Sequence, residues 1–300
     1  MTWIVLGLMA GLVLGAYDFL TKLALKENTV LELVFWCAVL GGLMWAPFFF
    51  LPSGHTDMFH RGGLYPSPLS HAQQALILPK SVMMVASWIL SYYSIKTLPL
   101  SISAGVRASG PLWTVLGAVI LLSEQLSAMQ WLGLAVSMGF YYLFSLIGKR
   151  EGIRFTRNGW VLCMLAATLL SSANALYDKY ILSTLHMDLA AVQAYSAIQR
   201  GAVALVLVPW IYHRRFDIVS VIRKNWAVPT MAFAYVFAEF VYLTAVQREG
   251  ALISVISVLR RTNLVMVFAL AVLFLRENFI GQKILAILGV LVGIALIILD

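Results

Sequence analysis

The chain has 300 residues and a formal net charge of +8, and it is 61% hydrophobic but only 11% charged. A soluble domain carries about 25% charged residues, so this chain cannot cover a soluble fold with polar surface. We therefore expect an integral membrane protein. The apolar residues are spread over the whole length, which excludes a single anchor joined to a soluble domain.

Ten stretches are apolar and long enough to cross a bilayer, which takes about 20 residues of helix. The first half has them at residues 3–24, 30–51, 73–95, 100–122 and 127–148. The second half has them at residues 159–182, 188–212, 227–247, 251–275 and 279–299. Residues 3–24 follow no basic region and carry no cleavage pattern, so they are predicted to be a retained first span.

The connections between these spans are mostly very short, which predicts antiparallel neighbours in an all-α protein. The longer connection at residues 52–71 contains His55, His60 and His71, but their spacing matches no standard metal site and a surface loop is expected. Most basic loop residues lie at residues 148–158 and 213–226. The positive-inside rule places those loops in the cytoplasm and both termini outside. This use of the positive charge also argues against nucleic acid as a partner.

The two cysteines, Cys37 and Cys163, both lie within apolar stretches. We expect them to be packing residues rather than a disulfide or a metal pair.

A sequence repeat organises the chain. Residues 101–125 recur as residues 254–278, with Arg107 and Arg260 in register and Glu124 and Glu277 in register. A weaker match relates the first helices of the two halves, around Lys22 and Lys179. Residues 1–150 and 151–300 are therefore predicted to be two copies of a five-helix unit. An odd number of spans inserts the second copy upside down, which is a transporter architecture with its site between the halves.

The segment LLSEQLSAMQWLGLAVSMG, repeated as FLRENFIGQKILAILGVLVG, resembles the EamA-type branch of the drug/metabolite transporter superfamily. The resemblance covers essentially the whole chain. It implies ten helices in two repeats and a central cavity lined largely by the third, fourth, eighth and ninth helices. It also implies small-metabolite substrates such as amino acids, and cytoplasmic termini, which is opposite to the loop charge of this chain.

A kink is predicted in the fourth helix at Gly110–Pro111, because proline removes a backbone hydrogen bond and clashes with the preceding turn. The second copy has Asn263–Leu264 at this place. Strict symmetry of the fourth and ninth helices is therefore not expected.

Ionisable side chains inside spans cost at least a few kcal/mol each, so they face a cavity or a partner. Basic residues outnumber acidic ones in this set, which consists of Asp18, Lys22, Lys80, Arg107, Asp178, Lys179, Arg200, Glu239, Arg260 and Arg261. Arg107 and Arg260 lie roughly 10 Å inside their helices. Each is predicted either to clamp a carboxylate or phosphate, or to make a structural pair.

Arg200 and Glu239 lie deep in their spans and either pair with each other or face the cavity, where a protonatable Glu239 would suit proton coupling. Lys22 and Lys179 are expected to reach toward the bilayer interface. Glu124 and Glu277 are expected to cap the helix that follows each of them.

The further candidates for the cavity are aromatic or hydroxyl side chains. Aromatic rings in these spans either stack on a substrate or form lipid-facing belts. These candidates are Trp88, Tyr92, Tyr242, Ser103 and Ser257.

These features predict a multi-pass protein of the plasma or inner membrane that transports small metabolites by alternating access. The excess of buried cations favours an exporter of amino acids or other compounds with a carboxylate or phosphate. The alternatives are an exporter of cationic drugs, controlled by Glu239 or Asp18, and a passive channel. The sequence has no HExxH, GxSxG or nucleotide-binding motif, so we expect no enzyme and no cofactor, and a gradient, a coupling proton or a counter-substrate as the driving force.

Overall fold

The computed structural model describes residues 2–50, 64–107, 109–150, 157–212, 226–275 and 280–298. All regular secondary structure within these ranges is helical, and it forms ten consecutive segments that match the ten predicted spans. The predicted fold class is therefore confirmed.

The first half contains five segments, of which the second ends in a 3₁₀ turn and the fourth is broken. They are α1 (Thr2–Ala24), α2 (Val30–Trp45, extended by Ala46–Phe50), α3 (His71–Thr97), α4a (Leu100–Arg107) with α4b (Gly110–Leu121), and α5 (Ala128–Arg150).

The second half contains the other five segments, of which the fourth is again broken. They are α6 (Gly159–Lys179, extended by a π turn at Tyr180–Thr184), α7 (Leu189–Leu205, followed by Val208–Tyr212), α8 (Ala227–Gln247), α9a (Ile253–Leu259) with a 3₁₀ turn (Arg260–Thr262) and α9b (Asn263–Leu275), and α10 (Ile280–Ile298).

Six of the described helical stretches are long and apolar enough to cross a membrane by their own length and composition. Large apolar side chains are exposed on the outside of the bundle, where lipid replaces water as the solvent. Examples are Leu43, Ile120, Leu121, Leu273 and Val292. The chain is a multi-pass membrane protein. The loops that determine its orientation, residues 213–225 above all, lie outside the described residues, so the orientation stays a prediction.

Short polar motifs start the helices. Thr29 and Glu32 form a capping box at α2, and Ser70 and Gln73 form another at α3. Such a box satisfies backbone N–H groups that have no partner inside the helix. His71 is the first residue of α3, whereas His55 and His60 lie outside the described residues.

The break in α4 occurs where Gly110–Pro111 predicts it, with Pro111 in the first turn of α4b. Although α9 has no proline at this place, a 3₁₀ turn interrupts it at the equivalent position. Tertiary contact with α1 replaces proline there. The Thr262 hydroxyl donates to the Leu8 carbonyl at 3.1 Å, and Gly11 packs against the Arg260 carbonyl, where a Cβ atom would lie only 2.8 Å from the oxygen.

Helix pairing repeats between the halves. Helix α1 packs on α8 and α9, and its counterpart α6 packs on α3 and α4. Helix α2 packs on α7, and α5 packs on α10. If each helix of the first half is exchanged with its counterpart in the second half (α1 with α6, α2 with α7, and so on), the same set of packed pairs results. Two copies of a five-helix unit packed together have this symmetry.

Two lysines show the same symmetry in atomic detail. Lys22 Nζ donates to the Leu98 carbonyl at 2.7 Å, and Lys179 Nζ donates to the Ala251 carbonyl at 2.6 Å. We expected both ammonium groups to reach toward the interface. Each one binds backbone at the connection between the third and fourth helices of its own half, where carbonyl groups lack helical partners.

Both cysteines are free, with Cys37 buried and Cys163 half-buried. No group of three potential metal ligands occurs among the described residues.

Helices α5 and α10 approach closely at Gly133 and Gly293. A Cβ atom at Gly293 would lie 2.6 Å from the Gly133 carbonyl oxygen, and one at Gly133 would lie 2.6 Å from Ile297 Cγ1. Glycine allows this approach, as small residues commonly do between membrane helices.

Replacing Gly133 by alanine is expected to lower the melting temperature in detergent, because the added methyl group forces the helices apart at a cost of about 1–3 kcal/mol. The matched control is Gly139→Ala on the same helix, where an added Cβ would meet nothing within 4 Å. Equal melting temperatures for the two variants would contradict this account of the interface.

Candidate functional site

A cavity lies between the two halves and comprises about 990 Å³ of space free of protein atoms, including a part open to the exterior. Its walls come from α3, α4, α8 and α9, as the family resemblance implies, and also from α1 and α6. Inverted-repeat transporters bind substrates at such a position.

Arg200 on α7 and Glu239 on α8 form a bidentate ion pair at 2.8 and 2.7 Å. Arg200 is only 2% exposed, and its guanidinium also faces the rings of Trp88 and Tyr235 at 5.6 and 5.4 Å. The structure shows the mutual pairing that was one of the two alternatives for these residues. Glu239 also lines the cavity, whereas Arg200 lies outside the lining.

Lys80 on α3 extends this pair into a row of four charges. Its ammonium lies 3.2 Å from Glu239 and 2.7 Å from Asp178 on α6, and Asn174 donates to the same carboxylate at 3.0 Å. The signs alternate along Arg200, Glu239, Lys80 and Asp178, so the row has no net charge. We call these four residues the charged row.

Arg107 on α4a pairs with Asp18 on α1, and Asn263 on α9b donates to the other Asp18 oxygen at 3.2 Å. The Arg107 backbone carbonyl accepts a hydrogen bond from Arg261 at 2.8 Å. Arg107 thus makes the structural pair that was one of its two predicted roles, and it also lines the cavity, as the other role requires.

Arg260 is in a different situation, although it is the repeat counterpart of Arg107. Its guanidinium carbon lies 4.1 Å from the centre of the Tyr242 ring, and both residues line the cavity. None of the ion pairs among the described residues includes Arg260. Its buried Nε also makes no hydrogen bond to the described part of the chain. A guanidinium so placed can bind an anion that enters the cavity.

The other candidates divide between the cavity and the core. Trp88, Tyr242 and Ser257 line the cavity. Tyr92 is 1% exposed, lies outside the lining, and bonds the Tyr17 hydroxyl at 2.5 Å. Ser103 is likewise buried and outside the lining.

Sequence reasoning missed a wall of hydroxyl groups on α3 and α6. The Ser87 hydroxyl lies 2.9 Å from the Ser171 hydroxyl, and Ser91 and Thr168 continue the wall. The signal was present in the sequence, because hydroxyl residues three and four positions apart in an apolar helix share one face.

Glu124 does not cap the helix that follows it, which corrects our expectation. Its carboxylate accepts the backbone N–H groups of Ile253 at 2.7 Å and Ser254 at 3.1 Å, at the start of α9a in the other half. The start of α5 is capped instead by Ser127 and Gln130, because each side chain accepts a hydrogen bond from the other residue's backbone N–H. Glu277, the repeat counterpart, lies outside the described residues.

Fold and cavity together define a multi-pass membrane protein with a polar cavity between two related halves. The sequence matches the EamA-like transporter family over residues 1–146 and 158–299. The chain belongs to this family, is a transmembrane transporter, and is not an enzyme. The family is a branch of the drug/metabolite transporter superfamily, as the sequence resemblance implied.

No curated protein matches the chain. A solved crystal structure that is 15% identical in sequence superposes with a TM-score of 0.72, over 98% of this chain and 95% of that one. At this identity the likeness concerns the fold alone.

The charged row predicts a large effect of Glu239→Gln, because the substitution leaves Arg200 and Lys80 with a single carboxylate between them. Removing one partner of a buried ion pair costs about 3–5 kcal/mol, so the melting temperature in detergent should fall strongly. Glu249→Gln in the exposed turn after α8 is the control and should melt like the parent. A Glu239→Gln protein that melts like the parent would show that the charged row does not stabilise the fold.

Proposed function

We propose that the protein is a secondary transporter of the cell membrane that moves small metabolites bearing a carboxylate or phosphate by alternating access. Amino acids are among these compounds, and export is the proposed direction. The observation that carries the substrate class is Arg260, a cavity-lining guanidinium with no carboxylate partner among the described residues.

The charge balance around the cavity supports an anionic group on the substrate. Lys80, Arg107 and Arg200 are matched by carboxylates within the protein. Arg260 and Arg261 lie together at the break in α9 and line the cavity, and Arg261 donates to backbone carbonyls. The charge of Arg260 is therefore the one that needs a partner, and charge at membrane depth is costly unless a function requires it.

The architecture supports alternating access. Two opposed five-helix halves enclose the cavity, and α4 and α9 are both broken beside it, so that backbone at the site departs from regular helix. Rocking one half against the other exposes such a site to each side in turn. The sequence has no nucleotide-binding motif, so we propose that a gradient of substrate, proton or counter-substrate drives transport.

The main alternative, export of cationic drugs, needs a carboxylate that is free to meet the cation. Asp18 is bound by Arg107 and Asn263, and Glu239 is bound by Arg200 and Lys80. These contacts favour an anion-binding site over a cation-binding one. A passive channel is distinguished by flux that neither saturates nor shows counterflow in liposomes.

Arg260→Ala is expected to weaken binding of carboxylate or phosphate compounds by about 10- to 100-fold, since a charge-assisted hydrogen bond contributes about 1.5–3 kcal/mol. Ligand-induced thermal stabilisation of the purified protein and counterflow in proteoliposomes measure the loss. Amino acids, organic acids, sugar phosphates and cationic dyes form the panel.

Arg248→Ala, in the exposed turn after α8, is the matched control and should respond like the parent. Arg260→Lys keeps the charge but loses the planar pair of donors, so an intermediate loss is expected. A protein that responds only to cationic dyes, with Arg260→Ala unaffected, would overturn the proposed substrate class.

A further inference from the structure

The two halves differ at the position whose side chain pairs with the repeat arginine in the first half. The first helices of the halves align through Lys22 and Lys179, as LGAYDFLTKLAL and SSANALYDKYIL. This alignment places Ala175 on α6 where the first half has Asp18 on α1. The same repeat places Arg260 where the first half has Arg107.

Packing in the structure agrees with this register. Gly15 on α1 lies against the Asn263 carbonyl, with a Cβ position 2.7 Å from the oxygen, and its counterpart Ser172 on α6 donates to the Gly110 carbonyl at 3.1 Å. The bonds of Lys22 and Lys179 to the Leu98 and Ala251 carbonyls are equivalent in the same way. The contacts of α6 with α4 are therefore equivalent to those of α1 with α9, and its contacts with α9 are equivalent to those of α1 with α4.

The consequence is an arginine that forms no ion pair with any described residue, although the Asp178 carboxylate is near enough to interact with its charge. Asp18 neutralises Arg107 in the first half, whereas the methyl group of Ala175 stands at the equivalent place in the second half and lines the cavity. Arg260 packs on the Tyr242 ring, with Nε buried and unbonded to the described residues. A buried donor without an acceptor is costly, and a ligand oxygen can satisfy it.

We propose that the carboxylate of the transported compound pairs with Arg260 as Asp18 pairs with Arg107. It binds Arg260 beside Ala175, at the place that Asp18 occupies in the first half. Ala175 is then a specificity-determining residue, because its small side chain keeps that place open. This inference rests on the proposed function and assigns its substrate site.

The neighbouring residue indicates what else the compound carries. Asn174 lines the cavity and donates its amide N–H to Asp178, which leaves Asn174 Oδ1 buried and without a partner in the described part of the chain. One unbonded donor at Arg260 and one unbonded acceptor on the residue next to Ala175 are complementary to a compound with a carboxylate and a nearby N–H group.

The test introduces the missing carboxylate into the protein itself. Ala175→Asp places an internal counter-ion beside Arg260, and Ala175→Asn adds nearly the same volume without the charge. The full-length protein is purified in detergent, and thermal stabilisation is titrated with the protein amino acids, hydroxy acids without an amine, and sugar phosphates. We expect Ala175→Asp to require at least about tenfold more carboxylate ligand than Ala175→Asn, because the new side chain competes for Arg260.

A second measurement needs no ligand. Without ligand, Ala175→Asp should melt higher than Ala175→Asn, and adding Arg260→Gln to both should abolish this difference. Such coupling is the signature of a direct interaction between the two positions.

The outcomes separate the inference from the function on which it rests. The inference is wrong, while the proposed function stands, if the parent responds to carboxylates and Ala175→Asp responds as well as Ala175→Asn. It is also wrong if Arg260→Gln leaves the difference in melting temperature between the two variants unchanged. A response to sugar phosphates alone overturns the assignment to a carboxylate. If neither carboxylates nor phosphates stabilise the parent, the proposed function itself fails and the inference fails with it.

Discussion

The cost of placing charge inside a membrane shapes the centre of this protein. The charged row satisfies that cost by alternating signs over four side chains from α7, α8, α3 and α6, so that no member lacks a partner of opposite charge. Because Lys80 belongs to the first half and the other three to the second, the row also ties the halves together beside the cavity. The rings of Trp88 and Tyr235 face the Arg200 guanidinium and add a cation–π attraction to its ion pair with Glu239.

Duplication supplied both halves with an arginine at the break of the fourth helix, and the surroundings then gave the two arginines different tasks. Arg107 is neutralised by Asp18 and fixes α4 against α1. Arg260 rests on Tyr242 and has no carboxylate partner among the described residues. A symmetric fold thus encloses an asymmetric site, which a small asymmetric molecule needs in order to bind in one orientation.

The sequence predicted the ten helices, the repeat and the break at Gly110–Pro111, because periodicity, length and proline act locally. It offered the pairing of Arg200 with Glu239 as one of two alternatives, but it did not predict the partners of Lys80, Asp178 or Arg107. Lys80 and Asp178 are 98 residues apart and pair only because α3 packs on α6. The break in α9 was missed for the same reason, since contact with α1 rather than a proline accompanies it. The hydroxyl wall on α3 and α6, in contrast, was readable from its helical spacing.

Glu124 connects this architecture to the proposed motion. It extends from the connection between α4b and α5 of the first half to the start of α9a in the second half, where it bonds two backbone N–H groups and the Ser254 hydroxyl. Hydrogen bonds to a carboxylate contribute about 1.5–3 kcal/mol each, so this contact holds the halves together at one end of the cavity. The charged row links the halves in the same way, because its Lys80 is the one member from the first half and binds carboxylates on α6 and α8 of the second. The alternating access proposed above moves one half against the other, so both links lie across the surface at which that motion would occur.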